Sequence, residues 1–399
     1  MKKAENDSKK ELKQSTLLNT KVNRREFIKN SARMGIGATG VIGSLVGGGS
    51  LLKASPARAA RSIKGSGQVV VCGWGGGFQD AMRETIFQPF EKESGIKVID
   101  TGTPSMAKVK AQVDSNNVEW DIALISYQEA VIIGFNYFEE LDYSYFDKED
   151  LEAIPEGAKK KICCAAYFFS YVMAYNKGKY PNGTHPKSYQ EFVDFERFPG
   201  KRTFPGISGG GHVHIEEAQM GMGVPRNQLY PPDLKKVWAF YDKLKPHCVK
   251  WWDNGATAPQ LLVDKEVDLA CAYNGRIQQL IDQGLPFDIE WNQGTMSENS
   301  YAVLKGAKNA ENAMKFVGFA MRPEIQAALA ERYPYGPSNP RAAAVVTPET
   351  KAKLNTTPEK FKKQVLIDWD WYCAKTLDPT KRFSNLDYLN KEWQSWSMT

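Results

Sequence analysis

Trp74, Tyr273 and Arg276 are the residues of this 399-residue chain whose types and positions best suit molecular recognition. Trp74 sits in the loop Gly73-Trp74-Gly75-Gly76-Gly77, directly after an apolar run, where an indole face is free to meet a cation. An aromatic–cation contact contributes about 0.5–2 kcal/mol. The three glycines let backbone N–H groups come close to an anion ahead of a helix, although a tight turn accounts for them equally. Tyr273 offers a second ring. Arg276, three residues on, carries a planar fork suited to a carboxylate; the alternative is a salt bridge on a helix surface. Of the doublet Trp251-Trp252, which precedes a helical pattern, only Trp252 is kept as a ring candidate. Nothing assembles a reaction: there is no P-loop and, past residue 60, no dinucleotide fingerprint. With His212-x-His214 the sole paired histidine spacing, no metal and no cofactor are expected. An enzyme would have to rely on Cys72, at the end of the first apolar run, as a nucleophile.

These residues lie where strands stop. Gln68–Cys72 reads as a buried strand, followed by a helical pattern through Phe87 and Phe90 that Gly95 ends, and a strand at Ile96–Ile99. A helix near 105–113 and a strand at Asp121–Ser126 continue the alternation, which indicates βαβ units and a mostly parallel sheet. After the aromatic-rich run Tyr167–Tyr175 the rhythm restarts. Strands are predicted at Lys201–Phe204, Val267–Ala272 and Phe287–Trp291, with a further run at Tyr301–Leu304, and helices at Leu234–Lys245, Thr257–Asp264 and Ile277–Gln283. Two such series with polar loops at strand ends favour an α/β chain of two lobes and a ligand cleft between them. The last hundred residues read as mainly helical, with breaks at Tyr333–Pro340 and Thr347-Pro348.

The chain opens on Arg24-Arg25-Glu26-Phe27-Ile28-Lys29, then a Gly-rich apolar stretch from Met34 to Leu52, then Ala57-Arg58-Ala59. That order is the layout of a twin-arginine signal peptide covering residues 1–60 and cleaved near Ala59; retention as a membrane anchor is the alternative. Seven of the 19 residues in the apolar stretch are glycine, which weakens it as a spanning helix. The net charge of +6 belongs to this segment: it holds 12 Lys and Arg against 4 Asp and Glu, leaving 40 against 42 in the remainder. A nucleic-acid partner, which needs a basic patch, loses its compositional support. All six cysteines follow the segment, with no Cys-x-x-Cys, and their pairing stays open.

Several stretches resemble the polyamine-type branch of the bacterial extracellular solute-binding proteins that serve ABC importers. They are Phe87-Gln88-Pro89-Phe90-Glu91-Lys92-Glu93-Ser94-Gly95-Ile96-Lys97-Val98, Phe198-Pro199-Gly200-Lys201-Arg202, Glu266-Val267-Asp268-Leu269 with Tyr273-Asn274-Gly275, Met321-Arg322-Pro323-Glu324, and Arg332-Tyr333-Pro334 with Asn339-Pro340. The resemblance implies the bilobal type II periplasmic-binding fold, with residues 61–172 plus 301–399 as lobe I and 173–300 as lobe II. It also implies a monomer in the periplasm that hands a small solute to a membrane ABC permease. On this pattern the ligand contacts are Trp74, Ser126, Tyr127, Tyr273, Arg276, Tyr333 and, near a late polar contact, Asp370, which alternatively caps a helix. The spermidine- and putrescine-binding members carry an Asp where this chain has Asn299, with Glu298 beside it. Two further acids at the start of a lobe II helix are replaced here by Gly209-Gly210-Gly211-His212-Val213. A long dication is therefore disfavoured against a smaller amine or a zwitterion of the GABA type. A sugar, an organic anion or a metal chelate is the competing solute class.

Overall fold

A computed structural model describes residues 61–207 and 211–399; the arginine pair, the Gly-rich stretch and the Ala57–Ala59 site lie outside the described residues. β1 (Gln68–Gly73) buries Val69, Val71 and Cys72 completely. Gly75 and Gly76, at φ 67° and 60°, make the turn that side chains resist. α1 (Gly76–Met82) then continues through a π turn (Arg83–Phe87) into α2 (Gln88–Ser94), which Gly95 ends in the left-handed conformation at φ 81°. β2 (Lys97–Gly102), α3 (Met106–Asp114), β3 (Ile122–Ile125) and α4 (Tyr127–Ile133) follow. β1 pairs in parallel with both β2 and β3.

The chain then enters β4 (Cys163–Asn176), a 14-residue strand, and builds a second set of elements. These are β5 (Arg202–Pro205), α5 (Ile215–Gly221), α6 (Leu234–Leu244), β6 (Cys248–Trp252), α7 (Thr257–Val263), β7 (Leu269–Tyr273) and α8 (Asn274–Asp282). It returns through β8 (Phe287–Val303), 17 residues long, to α9 (Ala310–Ala320), α10 (Pro323–Arg332), β9 (Gly336–Pro337), β10 (Val365–Leu366), α11 (Trp369–Cys373) and α12 (Asn385–Ser397). The strand order is β2-β1-β3-β8-β4-β7-β5-β6. β4 and β8 run antiparallel from Cys163 opposite Ala302 to Asn176 opposite Phe287, with irregularities at Ala165/Tyr167 and Tyr171/Met173. One end of this ladder joins β3, the other joins β7. Two α/β lobes thus share one pair of long strands.

Three elements differ from the sequence reading. The two runs Phe287–Trp291 and Tyr301–Leu304 are the ends of a single strand, β8; its polar middle, Asn292–Ser300, shows no clean alternation because neighbours on both faces change along its length. Cys248–Trp252 is an edge strand pairing in parallel with β5. α5, short and fully buried, went unread because Glu216 and Glu217 interrupt its apolar character. The sheet is parallel within each lobe and antiparallel where β8 meets β3 and where β4 meets β7 and β8.

Each lobe is filled by aromatic rings. Phe87 and Phe90 meet Phe316 of α9 at ring-centre distances of 5.7 and 5.2 Å, and Phe204 packs on Phe192, Phe240 and Tyr241. Burying each such ring contributes about 1.5–3 kcal/mol. Among the described residues no helix is long and apolar enough to cross a membrane, and no group of three or more His, Cys, Asp or Glu is placed to hold a metal. All six cysteines are free thiols.

α9 lies against the Tyr143–Tyr145 turn so closely that a Cβ on Gly318 would sit 2.7 Å from the Tyr145 carbonyl oxygen. Backbone cannot yield as a side chain does. Gly318→Ala is therefore expected to destabilise lobe I by about 1–3 kcal/mol, read as a lower urea midpoint with unchanged slope.

Candidate ligand-binding site

The strand ends converge on the β4–β8 ladder. Trp74, one residue beyond β1, donates its indole Nε1 to Asn299 Oδ1 at 2.5 Å. Asn299 stands on β8 opposite Tyr167 of β4 and is buried. Its neighbour Glu298 accepts the Tyr127 backbone N–H at 3.1 Å. Burial lifts the Glu298 carboxyl to about 7, against the pull of that N–H and of the Lys160 charge. Ser126 caps α4: its backbone N–H and hydroxyl both reach Glu129 Oε2, at 2.9 and 2.7 Å. Trp74, Ser126, Tyr127, Glu298 and Asn299 are thereby linked on the lobe I side. Glu129, which the sequence reading passed over, is the acid of a capping box whose Ser-x-x-Glu spacing was visible.

On the lobe II side, Tyr273 ends β7. Its hydroxyl lies 3.3 Å from that of Tyr171, and its ring meets Tyr171, Phe169 and Trp252 at 4.9, 5.3 and 5.3 Å. Burial pushes the Tyr273 hydroxyl up to about 12, partly countered by the bond to Tyr171 and the charge of Arg276. Arg276, in the first turn of α8, reaches back toward lobe I. A Cβ on Gly76 would lie 3.7 Å from its Nη1, and one on Gly77 would lie 3.7 Å from the Tyr333 hydroxyl. The same guanidinium acts on the Tyr335 hydroxyl, which burial raises and Arg276 partly restores.

Tyr333 packs edge-on against Phe78 at 5.4 Å, and Tyr335 stacks on Tyr167 at 5.0 Å with their planes 8° apart. Tyr167, Phe169, Tyr171 and Tyr335 were not singled out from the sequence, though the runs Tyr167–Tyr175 and Tyr333–Tyr335 announced their aromatic density. A Cβ on Gly275 would fall 2.5 Å from Tyr335 Cε1, so α8 carries glycine where that ring lies flat against it.

Two candidates stand apart. Trp252 is fully buried behind Tyr273 and gives its Nε1 to the Cys271 carbonyl at 2.8 Å. Asp370 is exposed on α11, which packs beside α4, and its charge is felt at Tyr127. The cap of α11 is Asp368, whose carboxylate accepts the Trp371 N–H at 3.0 Å. Gly209 and Gly210 lie outside the described residues. The lobe II helix that begins after them carries two acids in its first turn, Glu216 and Glu217, both fully buried. Cys72 is buried, and desolvation raises its thiol to about 12, too high to supply a thiolate nucleophile at neutral pH.

Residues 85–358 match the model of the bacterial extracellular solute-binding protein family. The gamma-aminobutyric acid-binding protein of Pseudomonas aeruginosa is 31% identical over 334 residues, which is 82% of this chain and 92% of that one. An ABC transporter protein from Rhodopseudomonas palustris superposes with a TM-score of 0.76 at 30% identity, covering 82% of this chain and 99% of its own. The PBP AgtB of A. tumefaciens R10, solved in complex with agropinic acid, superposes with a TM-score of 0.71 at 30% identity over 84% of this chain and 99% of that one. A bilobal α/β chain with strand ends meeting at a shared ladder agrees with all three: this chain belongs to the bacterial extracellular solute-binding protein family and is the solute-binding component of an ABC transporter.

Proposed function

We propose that the cleft captures a small zwitterion bearing an ammonium and a carboxylate, of the type γ-aminobutyrate represents, and delivers it to the permease. The observation that carries this reading is Arg276: a guanidinium from lobe II held against the Gly75–Gly77 turn of lobe I. A carboxylate between them has a planar two-pronged donor on one side and closely approachable backbone on the other. The ammonium end is assigned to the ring of Trp74, to Tyr273 and to the acids beside Asn299, chiefly Glu298, with Ser126, Tyr127 and Tyr333 closing the walls and Asp370 at the rim. A long dication meets Arg276 as a like charge, which is repulsive in a site shielded from water. The likeness to a gamma-aminobutyric acid-binding protein supports the same ligand class. Residues 61–172 with 301–399 and residues 173–300 are assigned as the lobes that close on it, with α11 and α12 of the first group packing against the second through Tyr372, Trp393 and Trp396. The Arg24-Arg25 segment is assigned to twin-arginine export, with cleavage near Ala59 releasing a monomer into the periplasm.

Thermal-shift screening with γ-aminobutyrate, putrescine, spermidine, sugars and ferric chelates tests the ligand class. A binder at a hundredfold excess over its dissociation constant is expected to stabilise the fold by about 2.7 kcal/mol. Stabilisation by sugars or ferric chelates with none from any amine defeats the proposal. Arg276→Ala is expected to cost a carboxylated ligand about 2–5 kcal/mol while strengthening putrescine by removing the like charge; equal losses remove the role given to Arg276. Asn299→Asp, measured by calorimetry, is expected to strengthen putrescine relative to γ-aminobutyrate by adding an anion under Trp74.

A further inference from the structure

Away from the cleft wall, α5 sets two glutamates side by side in the interior of lobe II, and each ties the helix to a different element. Glu217 Oε1 accepts the Thr295 hydroxyl and lies 3.5 Å from His214 Nδ1. Thr295 is on β8 opposite Tyr171, where the β4–β8 register shifts. Glu216 is bonded to the hydroxyls of Tyr230 and Tyr372, the latter at 3.2 Å from Oε2. Tyr230 in turn accepts the Asp368 N–H at 3.1 Å, so this arm reaches the segment leading into α11.

The two carboxyl groups cannot both be charged at small cost. Both glutamates are fully buried, and Glu217 Oε2 has no hydrogen-bond partner among the described residues. The groups facing them are Tyr171, Tyr189, Tyr230, Tyr241, Tyr372, Cys271, His212 and His214, with Asp368 beyond Tyr230; no lysine or arginine is among them. The Tyr372 hydroxyl also lies 2.9 Å from the Val213 carbonyl oxygen. It has a single proton. Given to that carbonyl, the contact with Glu216 is a hydrogen bond only when Glu216 itself is protonated.

We propose that Glu216 and Glu217 are positioning residues for the cleft, a pair that works with one carboxyl protonated and loosens the grip of α5 on the hinge strand when it takes a second charge. Weaker ligand capture in alkaline medium follows. Burial, reinforced by the neighbouring Glu217 charge, raises Glu216 to about 8. A carboxyl raised on folding contributes stability that is fully present below its unfolded range and lost as pH rises through about 8. The inference rests on the zwitterion reading for its probe, yet it fails separately.

The test is calorimetric titration of the full mature chain with γ-aminobutyrate from pH 6 to 9, alongside Glu216→Gln. Wild-type affinity is expected to fall roughly tenfold between pH 7 and 9, whereas E216Q binds as wild type at pH 7 and shows no fall above it. A flat wild-type profile, or an identical fall in E216Q, overturns the proposal. Carbon-13 NMR of the glutamate carboxyls in unmodified protein gives a second reading independent of ligand and of how the variant folds. Besides Glu298 near 7, a second buried carboxyl titrating near 8 is expected, and its absence overturns the proposal. Binding by no amine at any pH, with that titration present, would instead sink the ligand class.

Discussion

The antiparallel ladder between β4 and β8 is the constraint on which the rest of the molecule depends. Each strand is long enough to belong to both lobes, so motion of one lobe against the other must deform this pair of strands. Strands resist stretching and shearing because every ladder hydrogen bond would lengthen together, but they twist and bend at low cost where pairing is interrupted. The interruption at Ala165/Tyr167 falls just past the part bonded to β3, and that at Tyr171/Met173 falls at the start of the part bonded to β7. The same stretch carries Tyr167 and Tyr171 on one strand, Glu298 and Asn299 on the other. Hinge and recognition surface are one piece of backbone.

That coincidence explains how the polar groups are arranged. An ion or a hydrogen bond is worth more where water is excluded, and a cleft excludes water only when closed. Arg276 belongs to lobe II, yet its guanidinium faces glycines of lobe I. Trp74 belongs to a lobe I loop, yet it is fixed by a side chain of the shared strand. Groups of this kind gain their full interaction only in the closed arrangement, which is how a ligand with charge at both ends favours closure over opening: it can shift that equilibrium only by the difference in what it gains in the two states.

Much of the architecture was legible because apolar runs of four to six residues alternate with helical periodicity, and β1, β2, β3, β5 and β7 all appear where those runs stand. Trp74, Tyr273 and Arg276 were legible for a related reason: polar or aromatic residues just past a buried strand sit at the edge of a sheet, where clefts form. What failed to show was anything whose environment changes along its length. β8 reads as two pieces because its neighbours switch from β4 alone to β3 and β4. α5 reads as a loop because its two acids are buried against phenols and a threonine brought from Tyr230, Tyr372 and Thr295, partners too distant in sequence to be seen together. The rings of Tyr167 and Tyr335 meet across 168 positions, and no local pattern records such a contact.

The position of the titratable groups also separates holding a solute from transforming it. A nucleophile or general base needs a proton affinity near the working pH and access to the reacting atom. Cys72, Cys163 and Cys271 are buried thiols that desolvation keeps protonated. The tyrosine hydroxyls around the cleft are likewise raised, by burial above all, and so remain neutral donors and acceptors. Glu298, at about 7, is the cleft acid whose charge is most easily changed, and its nearest bonded group is a backbone amide rather than a proton relay. On the proposed reading such an acid gains from an incoming ammonium, which offsets part of its desolvation. Neutral rings, the Arg276 guanidinium and a desolvated carboxyl form, on the proposed reading, a set that orients charge, and it is this set, more than the sheet beneath it, that suits the fold to holding a solute.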